Sequence, residues 1–168
     1  MLLTAASALA PQGTTIEIAS IAGIPLYDGD VEAAGRVPAV VTALKDRIAA
    51  ADGLLIASPE YNNSIPGVTK NAIDWLSRPA TDIARVFAGR PVAVIGATPG
   101  AGGTALGQAA WLPVLRTLRM VPWFGDRLGV PNASKVFDAN GRLIDDAIRA
   151  RLDAFMKGFA AFVAEQRC

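Results

Sequence analysis

The chain has 168 residues, 52% of them apolar and only 18% charged, which excludes extended disorder and suits a single domain with a proper core. No apolar run approaches the roughly 18 residues that a membrane span needs. Sixteen basic against fifteen acidic residues leave a net charge of +1, so neither a nucleic-acid surface nor a strongly acidic docking face is expected. There is no histidine, which removes imidazole metal sites, Ser-His-Asp and Cys-His catalysis, and any histidine general base. The one cysteine, Cys168, is the last residue, so no internal disulfide or zinc-thiolate cluster is available. If the chain is an enzyme, a cofactor carries the chemistry.

Met1 to Ala10 ends in Ala8-Leu9-Ala10, a pattern shared with signal cleavage sites. No Lys or Arg occurs before Arg36, however, and the apolar stretch is broken by Thr4 and Ser7. The segment reads as a helix stopped by Pro11 and Gly13, in a cytoplasmic protein. Thr14 to Ser20, β-branched and bounded by glycines, reads as a strand. Val37, Val40, Val41, Leu44 and Ile48 mark one face of a helix, with Lys45, Asp46 and Arg47 expected mostly in solvent. Leu54 to Ala57 is a short apolar run, as in a parallel strand covered on both faces. A polar loop from Ser58 to Ser64 leads into a helix from about Pro66 to Ser77, stopped by Arg78-Pro79. Pro91 to Ala97 is a second apolar strand, followed by a glycine-rich turn and a helix to about Arg119. Met120 to Phe124 reads as a further strand, short or at an edge because of Pro122. Asn140-Gly141 marks a turn. Ile144, Ile148, Leu152, Phe155, Phe159 and Phe162 share one face of a closing helix.

Alternating strands and helices without a linker predict one α/β domain over residues 1–168, with a parallel sheet between two helical layers. Ligands of such sheets bind at the carboxyl ends of the strands, which singles out two loops, Ser58–Ser64 and Thr98–Gly103. In the first, a Pro-Gly-punctuated turn leaves backbone N–H groups unpaired beside the positive end of a helix. Tyr61 offers a flat apolar wall, and the Asn62 amide both donates and accepts. Any one of these residues alone would more simply cap the helix or sit on the surface; as a string they favour a site.

The string Ser58-Pro59-Glu60-Tyr61-Asn62, with Ser64, Pro66-Gly67 and Lys70-Asn71-Ala72-Ile73-Asp74-Trp75, resembles the signature of the NADPH-dependent FMN reductase family. The resemblance extends more loosely from Ile24-Pro25-Leu26-Tyr27 to the C-terminal helix. It implies a flavodoxin-like three-layer fold, FMN as cofactor, NADPH or NADH as donor, and a quinone-like acceptor served by a ping-pong mechanism. The cofactor-binding residues it implies are Ser58, Pro59, Glu60, Tyr61, Asn62 and Ser64, with Thr98, Pro99, Gly100, Ala101 and Gly102 at the rim of the ring. No side-chain acid or base is required, and no metal. The family's habit also implies a homodimer or homotetramer, with Trp75 near the contact because the apolar bulk of Trp75, Phe155, Phe159 and Phe162 exceeds one small core. Lys70 and Asp74 read as an ordinary surface pair.

Other readings stay open at this level. Gly100, Gly102 and Ala105, with Asp126 about twenty residues on, formally fit a Rossmann-type NAD-binding turn. An electron-carrying flavodoxin would share the fold, although such carriers are typically very acidic. A relative that keeps the fold and has lost its flavin is the third. Members of the family normally begin with a buried strand and a phosphate-binding loop; the chain as read begins inside the first helix. The expectation is therefore a sheet of four strands at most. Thr14–Ser20 then pairs directly with Leu54–Ala57, pairs with another chain, or leaves its backbone exposed.

Overall fold

The computed structural model describes residues 1–166, so Cys168 lies outside the described residues. The organising element is the strand Pro91–Ala97 (β2), which is bonded on both sides. On one side it runs parallel to Leu54–Ala57 (β1), with Leu54 opposite Val92 and Ala57 opposite Ile95. On the other it pairs in parallel first with Val121–Pro122 (β3) and then with Leu128–Val130 (β4). Side chains alternate across these strands, and the alternation divides the core. Leu55, Ala93, Ile95, Leu128 and Val130 face the helices Leu2–Ala8 (α1) and Asp146–Glu165 (α8). Leu54, Ile56, Val92 and Val94 face Ala39–Ala50 (α3), Gly67–Leu76 (α4), Ile83–Val86 (α5) and Ala105–Thr117 (α6). Two short helices, Gly29–Ala33 (α2) and Ala133–Val136 (α7), complete the set. Sheet and helical layers thus form the expected three-layer α/β sandwich, and none of the helices among the described residues is long and apolar enough to cross a membrane.

The closing helix follows its pattern. Ile148, Leu152, Phe155, Met156 and Phe159 are buried in one stripe, and the Asp145 carboxylate caps the helix by accepting from the Ile148 N–H at 2.9 Å. Ile144 departs from the expectation: it precedes the cap and is exposed.

Three other expectations need correction. Lys45 is not in solvent; it is 2% exposed, and its Nζ donates to the Arg78 carbonyl and to Asp82 Oδ2. It follows Val41 by four residues and so lies on the apolar stripe, where the turn at residues 78–82 packs over it. The strand expected at Met120–Phe124 is only Val121–Pro122, and its place beside the end of β2 is taken by Leu128–Val130. Between the two pairings β2 uses two residues, Ala93 and Val94, while the other chain uses five, 123–127. The excursion begins where Trp123, after donating its N–H to the Val92 carbonyl, turns its ring against Phe155 at 4.9 Å.

Thr14–Ser20 has no regular secondary structure and joins no sheet among the described residues. Arg47 on α3 holds it from the side, donating Nε to Glu17 at 2.6 Å and a terminal N–H to the Ile18 carbonyl at 3.1 Å. Of the three outcomes, direct pairing with Leu54–Ala57 is not the one realised, and within this chain the segment lies outside the ladders of the described strands. Among the described strands β1 in turn pairs only with β2, and all four of its residues are half-buried rather than covered on both faces.

Candidate functional site

Because β1, β2 and β4 are parallel neighbours, the loops that follow them leave the same edge of the sheet. The first loop continues β1. The Ser58 N–H donates to the Ile95 carbonyl at 2.9 Å, and the buried Ser58 hydroxyl turns back on the Pro59 carbonyl. Tyr61 and Ser64 then exchange two backbone hydrogen bonds, of 3.1 and 3.0 Å, across a two-residue tip. Both tip residues, Asn62 (φ 50°) and Asn63 (φ 60°), are left-handed, which two-residue hairpin turns require and asparagine tolerates. The N–H groups of both asparagines make no hydrogen bond among the described residues. Helix α4 begins at Gly67 after Pro66 and has no side-chain cap, so its first N–H groups also face outward. Asn62 and Ser64 are therefore not capping residues. The Tyr61 ring stands beside this tip, 59% exposed.

The second loop is fixed by the end of β4. The Thr98 N–H donates to the Val130 carbonyl, the Ala133 N–H to the Thr98 carbonyl, and the Asn132 N–H to the Gly100 carbonyl, each at 3.0 Å. Pro99 to Gly102 are exposed, and Gly103 (φ 58°) and Thr104 (φ 64°) turn the chain into α6. A buried threonine in the left-handed region costs of order 1 kcal/mol, and such strain gathers at functional sites. Thr104 is held there by packing: its Oγ1 accepts from Gln108 at 3.1 Å and covers Gly96. Residues 131–132 form a third part of the rim that the sequence reading missed. A short strand before Pro131-Asn132 was the available signal.

Close approach at glycine joins the loops. A Cβ on Gly96 would lie 2.4 Å from both the Ser58 carbonyl oxygen and Thr104 Oγ1, and one on Gly129 would lie 1.9 Å from the Gly103 oxygen. Glu60 reaches across the gap and accepts the Gly107 N–H, in the first turn of α6, at 2.7 Å. Gly107 lets the Glu60 side chain and the Ser64 carbonyl lie against the helix.

The second half of the string, Lys70 to Trp75, is scaffolding. Asn71 accepts the Tyr27 N–H at 2.8 Å and donates to the Pro25 carbonyl at 2.9 Å, and Trp75 Nε1 donates to the same carbonyl at 3.0 Å. Tyr27 meets the Trp75 ring edge-on at 5.0 Å, and its phenol donates to Glu32, a bond that raises its pKa. Trp75 is 1% exposed within this chain, as Phe155 and Phe159 nearly are, so the apolar bulk assigned to a subunit contact is used in the core. Lys70 and Asp74 form the exposed pair expected, at 2.6 Å.

The rim is thus a row of backbone donors beside an exposed aromatic ring, with no free side-chain acid or base apart from the Tyr61 phenol. Such an array suits a flat, electron-rich group approached edge-on by N–H donors. A cavity of about 310 Å³ lies between α6 and residues 122–127 and another of about 740 Å³ beside α1 and residues 138–149; residues 58–64 and 98–102 line neither of these two. No cluster of residues fit to hold a metal ion occurs among the described residues. Asp126, the acidic partner of the Rossmann reading, sits in the 123–127 excursion with its carboxylate on the Arg127 N–H at 2.6 Å.

The chain is 42% identical over 165 residues to an NAD(P)H-dependent FMN reductase of Pseudomonas aeruginosa, a match covering 98% of this chain and 87% of that one. It is 40% identical over 163 residues to a 2-hydroxy-1,4-benzoquinone reductase of Burkholderia, covering 97% and 87%. In three dimensions it resembles FerB, a flavoenzyme NAD(P)H:(acceptor) oxidoreductase of Paracoccus denitrificans, with a TM-score of 0.86, 32% identity, and 98% and 88% of the two chains covered. The family profile described as NADPH-dependent FMN reductase matches residues 1–135, which include both loops, and the chain belongs to that family.

Proposed function

We propose that the loops 58–64 and 98–102 hold the isoalloxazine ring of FMN at the carboxyl edge of the sheet, and that the protein passes electrons from NAD(P)H to a quinone. The observation that carries this reading is the parallel pairing of β1 with β2, which sets the two loops side by side, with the free N–H groups of Asn62 and Asn63 at their tip. Bound FMN supplies the two-electron relay between donor and acceptor. The chain's own part is placement: the N–H groups favour charge on the ring edge, Tyr61 covers part of its surface, and the glycine-rich rim leaves room for donor and acceptor in turn. A single face used by both substrates gives a ping-pong scheme. Since Trp75 is spent in the core, the proposed dimer contact shifts to Val68 of α4 and Leu106 and Leu112 of α6, which are exposed on the helices that start at the loops.

The test is FMN titration followed by NADPH oxidation with a benzoquinone acceptor. Parallel lines in double-reciprocal plots and weaker FMN binding by Tyr61→Ala are expected. A chain that takes up no flavin and oxidises no NADPH at saturating FMN overturns the proposal.

A further inference from the structure

We propose that Glu60 is a positioning residue: its carboxylate latches the Tyr61–Ser64 tip to the first turn of α6, and this latch, rather than any contact of Glu60 with the cofactor, sets how tightly the two loops grip a flavin ring. The inference rests on the reading of those loops as the flavin site.

Four observations carry it. Glu60 Oε2 accepts the Gly107 N–H at 2.7 Å, the distance of a charge-assisted bond. Helix α6 has no side-chain cap of its own, because its N-cap residue, Thr104, is left-handed and turns its hydroxyl to Gln108. A carboxylate from another loop therefore does the work of the cap and meets the positive end of the helix. Thirdly, a Cβ on Gly107 would sit 3.2 and 3.3 Å from Glu60 Cβ and Cγ and 3.4 Å from the Ser64 carbonyl oxygen, so the whole side chain lies against the helix there. Finally, among the described residues Glu60 is the only one of the Pro59–Asn63 stretch whose side chain bonds to another element, while its neighbours Tyr61 and Asn62 are exposed. Ser58, by contrast, packs over Gly96 of β2, at the root of the loop and not at its tip.

A group that touched the cofactor and a group that held the loop would both weaken binding when removed, so the experiment separates them. Three variants of the full chain are compared with the parent: Glu60→Ala, which removes the latch; Glu60→Gln, which keeps an acceptor oxygen; and Gly107→Ala, which leaves Glu60 intact but makes its Cβ and Cγ give way by a few tenths of an ångström. FMN affinity is read by quenching of flavin fluorescence, and latch integrity by exchange of the Gly107 amide proton in the flavin-free protein. Loss of a bond to a charged acceptor is expected to weaken FMN binding about tenfold or more in Glu60→Ala. The Gly107 amide should exchange at least about tenfold faster, by the same bond energy expressed as local opening. Glu60→Gln should restore most of both, and Gly107→Ala should weaken FMN binding several-fold, with the double variant Glu60→Ala/Gly107→Ala no worse than Glu60→Ala.

Unchanged FMN affinity in Glu60→Ala overturns the proposal, whether or not the Gly107 amide opens. So does full affinity in Gly107→Ala beside a weakened Glu60→Ala, because that pattern marks direct contact. If the parent chain itself binds no flavin, the site reading fails instead, and the Gly107 exchange data then report the latch alone.

Discussion

Replacing Gly96 by alanine is the sharpest test of how the site is assembled. The added Cβ would lie 2.4 Å from the Ser58 carbonyl oxygen, 2.4 Å from Thr104 Oγ1 and 2.9 Å from Thr104 Cβ. Ordinary contact begins near 3.4 Å, so each of the first two neighbours must retreat by about 1 Å. Neither can do so by rotating a free side chain. Ser58 is bound through its N–H to Ile95, and Thr104 is a buried left-handed residue fixed by Gln108. Overpacking of this kind costs about 3 kcal/mol, the upper part of the usual range. For a domain of this size that is a fall of roughly 6–12 °C in Tm. FMN affinity should fall with it, since Ser58 and Thr104, at the bases of the two loops, both pack against Gly96. Gly102→Ala is the matched control: its Cβ meets nothing within 4 Å and its backbone is not left-handed, so stability should stay within about 0.5 kcal/mol. Urea melts of the two variants decide the matter. A Gly96→Ala protein within about 1 kcal/mol of the parent would refute the close packing of Ser58 and Thr104 on β2.

Lys45→Met should cost about 3 kcal/mol, because it strands Asp82 and the Arg78 carbonyl without their buried partner; Lys45→Met with Asp82→Ala should recover part of that loss, and equal stability of the single variant and parent would count against the pair. Asn71→Ala removes two of the three hydrogen bonds that tie residues 25–27 to α4 and should make that segment a site of limited proteolysis, whereas Trp75→Phe should cost only about 1–2 kcal/mol, since Pro25 keeps its bond from Asn71. The Asp138 carboxylate, held by the Arg142 backbone N–H above all, with the Arg142 side chain and the Asn140 N–H, titrates below its ordinary value. A depressed carboxylate stabilises the fold above its unfolded pKa and loses that contribution as pH falls through the folded one. The stability gap between the parent and Asp138→Asn should therefore be constant from neutral pH to about pH 5 and close below it; a gap that grows on acidification would reverse the assignment.

Much of the fold was legible in the sequence because local rules and tertiary demands agreed. Leu54–Ala57 and Pro91–Ala97 are apolar runs that only a central sheet could use, and the stripe of α8 has one buried face in any packing. The two candidate loops followed from those strands, and the string Ser58–Trp75 pointed to the family. What the sequence could not decide were matters of partnership. Thr14–Ser20 has strand composition, yet a strand exists only where a neighbour supplies the other half of its ladder, and none of the described strands does. Met120–Phe124 has the right residues for an edge strand, but Trp123 finds its partners in α8 and draws the chain away. Lys45 reads as solvent-facing until Asp82, thirty-seven residues later, is brought beside it. Glu60 is in the recognisable string, whereas its hydrogen bond is to a backbone N–H forty-seven residues away. Composition and periodicity report what each segment prefers to bury; which distant group completes a hydrogen bond or an ion pair is fixed only when the layers close.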